Sequence, residues 1–285
     1  MPRHLEGRLH LAFDHLPLEN RTTVAVRAQQ PPLKVVRAFP LADGAALVHL
    51  HNLSGGILGG DSLHLRIEVG CGAQAQVTST GATRLYRSRP GDGEANQTAA
   101  VAVAEDGLLE YLPDPLIPFA GSRYRQQTRI DLARGAGLFW WEIVAPGREA
   151  RGECFSYEWL HLCFDLWAES RPLALERVRL TPALDPPASW ARLGPYQYFA
   201  SFYICRVGLP QARWGTLEEQ LSEHAAALTR LPDVLWAVSV LPEHGLAVRA
   251  LARRGRLILP GLTALWNAAK YELYGREAIP PRKVL

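Results

Sequence analysis

Three carboxylates pose the chemical question in this 285-residue chain. Asp61 closes the run Gly55-Gly56-Ile57-Leu58-Gly59-Gly60-Asp61. Glu142 lies in Leu138-Phe139-Trp140-Trp141-Glu142-Ile143-Val144, and Glu176 in Pro172-Leu173-Ala174-Leu175-Glu176-Arg177. A charge set among bulky apolar side chains needs a partner or a purpose, because burying it alone is costly. For Glu142 and Glu176 the choice is between a salt bridge to one of the many arginines and a functional interior position. Asp61 either caps its glycine turn by accepting backbone N–H groups or is itself a ligand. His49 and His51 sit two apart on an alternating segment and share a face. With Asp61 they supply the donor types of a metal-dependent hydrolase, although no third ligand stands at a defined spacing. His161 and Cys163 raise the same question more weakly.

Other familiar chemistries are missing from the sequence. The glycines do not follow G-x-G-x-x-G, no Gly-Lys-Ser/Thr follows them, and they precede a strand where a phosphate loop would open a helix. The minimum reading of Gly55, Gly56, Gly59 and Gly60 is therefore a tight structural connection. Ser54 is not in a G-x-S-x-G context, and Cys71, Cys154, Cys163 and Cys205 form no C-x-x-C pair. No catalytic nucleophile is expected.

These residues need elements to position them. Alternation of apolar and polar residues predicts strands at 8–14, 22–27, 33–39, 45–51, 62–69, 74–80, 97–104, 124–132 and 138–144, and a long run from 155 to 167. Residues 1–180 thus read as a β-rich body. Residues 181–215 look irregular, with Pro182, Pro186, Pro187 and Pro195 among aromatics such as Trp190, Tyr196 and Tyr203. Thr216 and Glu219 resemble a capping box opening a helix that runs to about Leu228. Val234–Leu241 and Leu246–Leu251 read as a strand pair, and a last helix is expected after Pro260, ending at Gly275. Residues 181–285 are accordingly an irregular segment plus a small α+β subdomain, expected to pack with the body as one unit.

Composition narrows the class. Hydrophobic residues are 48% and the formal net charge is only +3, so neither nucleic acid nor a membrane surface is an expected partner. Only Lys34, Lys270 and Lys283 among 31 basic residues are lysines; arginine favours ion pairs and partner surfaces. Arg123, Arg125 and Arg129 are expected to share one strand face, either solvated or docking an acidic partner. The first 20 residues have no apolar core of a leader and no stretch reaches membrane-spanning length, which with the scattered cysteines suggests a reduced, cytoplasmic protein.

Five blocks carry a resemblance. The run His51 to Asp61 resembles the Gly-Gly-x-x-Gly-Gly-Asp motif of the urease accessory protein family UreD, called UreH in some organisms. Thr78 to Arg87, Leu109 to Ser122, Trp141-Glu142 with Pro146 to Phe155, and Pro172 to Arg177 resemble that family's later motifs in order. The last 100 or so residues match more loosely, through the final helix and Arg282. The resemblance implies a mainly β, β-helix-like body with two helices and a non-catalytic chaperone function. It also implies partners UreF, UreG (the GTPase) and apo-urease, no tightly bound cofactor, and nickel in transit. On this reading Asp61, Glu142 and Glu176 line an internal nickel passage with Thr83 as a polar wall residue; relatives carry Asp where this chain has Glu142. Oxygen donors suit a conduit, since a cage of nitrogen and sulfur ligands would retain the ion.

Overall fold

The computed structural model describes residues 4–281. In chain order the strands are β1 (Glu6–Leu16), β2 (Arg21–Gln30), β3 (Leu33–Lys34), β4 (Ala38–Pro40), β5 (Ala46–Asn52), β6 (Ser62–Val69), β7 (Gln74–Ser79), β8 (Thr83–Leu85) and β9 (Ala95–Val103). They continue as β10 (Leu108–Tyr111), β11 (Leu116–Pro118), β12 (Arg123–Leu132), β13 (Gly137–Val144), β14 (Trp159–Ala168), β15 (Arg171–Leu180), β16 (Tyr198–Arg206), β17 (Val234–Val240) and β18 (Gly245–Ala252). The helices are α1 (Gln211–Leu228) and α2 (Ile258–Tyr274).

From β5 to β14 the chain winds as a coil, bearing out the β-helix-like expectation. Parallel neighbours β6, β9, β12 and β14 stack in a seven-stranded sheet, while parallel neighbours β5, β7, β10 and β13 stack in an eleven-stranded one. Each turn passes from the second sheet to the first across a narrow third side, where β8 pairs with β11 and Ile57 bridges Leu85. Parallel strands need such long returns, and burial of their inner faces explains the Val, Leu and Ile content. The interior holds Leu11, Phe13, Ile67, Val101 and Ile130 against Val48, Val77, Leu109, Leu138 and Trp140.

The glycine quartet makes the first corner of this third side. Gly55 and Gly60 have φ of 71° and 85°, where a side chain would be strained. A Cβ on Gly56 would lie 2.5 Å from the Arg84 carbonyl oxygen, and one on Gly59 2.9 Å from Ser88 Oγ, both on the next turn of the coil. Two glycines thus turn the chain and two let adjacent coils touch.

Beyond β13 the eleven-stranded sheet is extended antiparallel by β16, β18 and β17. Its outer face is covered by both helices: Trp214, Leu217 and Leu221 of α1 and Leu262, Leu265 and Trp266 of α2 pack on Phe139, Trp141 and Phe202.

Five expectations change. Residues 198–206 form a central strand, not irregular chain. The segment 33–39 is broken into β3 and β4, and β14 begins only at Trp159. The helix α1 starts at Gln211, with Pro210 at the cap already fixed at φ −60°; the Thr216 hydroxyl instead donates to the Ala212 carbonyl one turn back. The last helix starts at Ile258, with Pro260 in its first turn, where no intrahelical N–H is required of it.

Candidate functional site

Two cavities lie inside the coil. The larger, about 250 Å³, is walled by the glycine corner (Gly55, Gly56, Ile57), by Thr80 to Arg84 and by His51. The smaller, about 50 Å³, is lined by Tyr124, Gln126, Trp140 and Glu142, enough space for a few waters. Thr83, Gln97, Tyr111 and Pro113 line both, so the cavities adjoin at Thr83.

Glu142 is the charge-bearing group of the inner cavity. Strand alternation turns it to the interior between the outward-facing Trp141 and Ile143. It is the one residue of β13 that is not fully buried, and it lines the cavity. Gln126 Nε2 donates to Glu142 Oε1 at 2.5 Å, and Tyr124 in turn donates to Gln126 Oε1 at 3.1 Å. Burial pushes the Glu142 carboxyl up to about 7, and the Glu176 charge adds to the rise against the lowering effect of the Gln126 bond. Burial likewise raises the Tyr124 and Tyr111 phenols, which stay protonated donors.

Glu176 projects from β15 across to the other sheet. It accepts from Ser201 Oγ (3.2 Å), Tyr203 Oη (2.6 Å) and Arg249 Nη2 (3.1 Å). Strand register explains the convergence: Glu142 on β13 pairs with Ser201 on β16, which pairs with Arg249 on β18. One row of side chains therefore runs from the inner cavity to the sheet's far end.

Asp61 lies elsewhere. Its carboxylate is fully buried, accepts the Leu5 N–H on Oδ1 and the Leu58 N–H on Oδ2 at 3.0 Å each, and lines neither cavity. It holds the glycine corner closed. Of the histidines, His51 lines the larger cavity and burial holds its imidazole below the usual histidine value, with His49 and Lys34 adding to the effect, whereas His49 packs edge-on against Phe39. No three His, Cys, Asp or Glu side chains among the described residues converge as a metal cluster, so His49, His51 and Asp61 do not assemble a hydrolase centre. Arg123, Arg125 and Arg129 do share the outer face of β12, each paired with a carboxylate: Glu158, Glu94 and Asp131. Arg282 lies outside the described residues.

Sequence reasoning missed two groups. Gln126, Ser201, Tyr203 and Arg249 carry no local motif, and only strand register together with the facing of the two sheets brings them to the carboxylates. A second buried set fastens α2: Lys270, wholly buried, contacts Glu110 Oε1 at 3.0 Å and Asp43 at 3.4 Å, while Trp266 Nε1 donates to Glu110 at 2.9 Å. None of the helices among the described residues is long and apolar enough to cross a membrane.

Known proteins supply the context. The family profile described as "UreD urease accessory protein" matches residues 5–284. A protein of Herpetosiphon aurantiacus named "Urease accessory protein UreD" is 48% identical over 277 residues, covering 96% of each chain. Proteins of the same name from Pseudomonas fluorescens and Lysinibacillus sphaericus are 37% and 29% identical, each over 80% of this chain and covering 76% and 85% of their own lengths. A match over nearly the whole chain, on a coil whose corner is built from the glycine motif, places this protein in the UreD urease accessory protein family.

Proposed function

We propose that this chain joins UreF and UreG on apo-urease in the cytoplasm and assists GTP-dependent delivery of nickel, the ion crossing the interior of the coil. The observation that carries this reading is Glu142, an ionisable carboxylate opening onto a small interior cavity that it shares with Thr83, Gln97, Gln126 and Thr128. A dication in a protein interior needs compensating charge and water, and oxygen donors that grip weakly let it move on. Thr83 supplies a hydroxyl-bearing wall where the cavities adjoin, Glu176 continues the carboxylate path, and Asp61 contributes by holding the corner that shapes the larger cavity. Nickel is cargo, so no resident cofactor is required. The chain performs no turnover, and GTP hydrolysis belongs to UreG. Exposed Trp190 and Leu184, with the helices, are the surface we assign to UreF.

The test is co-expression of apo-urease, UreF and UreG with and without this chain, reading nickel-dependent urease activity. Activity should require the chain and should fall in Glu142→Ala. Full activity without the chain ends the chaperone reading; full activity of a well-folded Glu142→Ala ends the passage.

A further inference from the structure

We propose that Arg249 is the latch on the far end of the carboxylate path, a fixed cation that occupies Glu176 until a divalent metal ion displaces it. The inference rests on the passage reading and adds the residue that governs retention and release.

Three observations support it. First, Arg249 terminates the side-chain row that starts at Glu142, beyond Ser201, and its side chain is 42% exposed while that of Glu176 is 24% exposed. It therefore stands where the path meets solvent. Second, its grip is one-handed. Nη2 alone donates to Glu176 Oε2 (3.1 Å) and to Tyr203 Oη (2.8 Å), while Nη1 is shielded from solvent without a hydrogen-bond partner. A bidentate fork would hold firmly; a single-nitrogen contact with a buried orphan donor is easier to exchange. Third, little crowds it on the solvent side. The residue paired with Arg249 on the outermost strand β17 is the small, exposed Ala237, and the remaining contact of the guanidinium is the face of the Tyr203 ring, 5.0 Å from its centroid.

Glu176 does not depend on Arg249 for its place, because Ser201 and Tyr203 hold both carboxylate oxygens. With Arg249 withdrawn, the carboxylate stays aimed into the path and changes from a neutralised pair to a free anionic oxygen donor. A dication and a guanidinium compete for the same oxygens, so the latch weakens metal retention and keeps the end of the path from becoming a trap.

Nickel(II) chloride titrated into the purified full chain tests this by calorimetry. Arg249→Gln should bind nickel about fivefold more tightly than the parent chain, the scale of one partly exposed ion pair. Arg249→Lys should stay near the parent value. In Arg249→Gln combined with Glu176→Gln the gain should vanish, which ties it to that carboxylate. With limiting nickel in the co-expression assay, Arg249→Gln should slow urease activation. An unchanged affinity, or a gain that survives in the double variant, overturns the latch. Should Arg249→Gln fail to fold, Arg249→Met preserves the packing of the stem and is read by the same criteria. A Glu142→Gln chain that activates urease normally refutes the passage itself, whatever the calorimetry of Arg249 variants shows.

Discussion

Glutamine at position 142 should stabilise the protein, and should do so only where the native carboxyl is forced to ionise. Glu142 has a folded value near 7 against an ordinary 4.5, so the fold prefers its protonated form. Below about pH 4.5 both folded and unfolded chains carry the proton and nothing is lost. As pH rises from there to 7 the unfolded chain releases its proton first, so unfolding becomes progressively easier; above 7 the full penalty is present. A shift of this size corresponds to about 1 kcal/mol at pH 5 and about 3 kcal/mol at pH 8. Glutamine removes the charge, keeps the shape and still accepts from Gln126 Nε2. Urea unfolding of parent and Glu142→Gln chains at both pH values should therefore show a stabilisation that grows by about 2 kcal/mol between pH 5 and pH 8. A gain of equal size at both pH values, or a loss at pH 8, refutes the claim that a reluctant carboxylate sits in the cavity.

Other outcomes follow from the same contacts. Asp61→Ala leaves the Leu5 and Leu58 N–H groups without their acceptor and should cost about 2–4 kcal/mol in urea unfolding, with Asp61→Asn recovering part of it. Lys270→Ala leaves Glu110 as an unmatched buried charge and should cost about 3–5 kcal/mol, whereas Lys270→Met combined with Glu110→Gln should recover most of the stability.

Legibility in the sequence followed burial. Strands with one wet face, such as β6 and β12, alternate plainly and were read correctly. Strand β16 was not, because α1 and α2 cover one of its faces and the opposite sheet the other. Phe202, Tyr203, Ile204 and Cys205 are all buried, so no period of two survives. The same holds for β10, where all four residues are buried. Glu142 stood out because a carboxylate between Trp141 and Ile143 breaks an apolar run. Glu176 was legible as a carboxylate that an arginine would pair or the interior would use, but its local sequence does not say which arginine. Arg249 was invisible, since 73 residues of sequence separate it from Glu176 and only the facing of β15 in one sheet against β16 and β18 in the other closes that gap. Lys270 escaped notice because a lysine on an amphipathic helix is ordinarily read as belonging to its wet face.

That lysine has a consequence for how the protein is made. Its partner Glu110 is synthesised 160 residues earlier, and Phe139 and Trp141, part of the aromatic bed on which this helix rests, also precede it by a long stretch of chain. Until residues 258–274 have emerged from the ribosome, the nascent chain displays a broad apolar sheet face and a carboxylate with no cation. A growing chain in that condition is at its most vulnerable to aggregation just before this helix emerges, and loss of the helix would make that condition permanent.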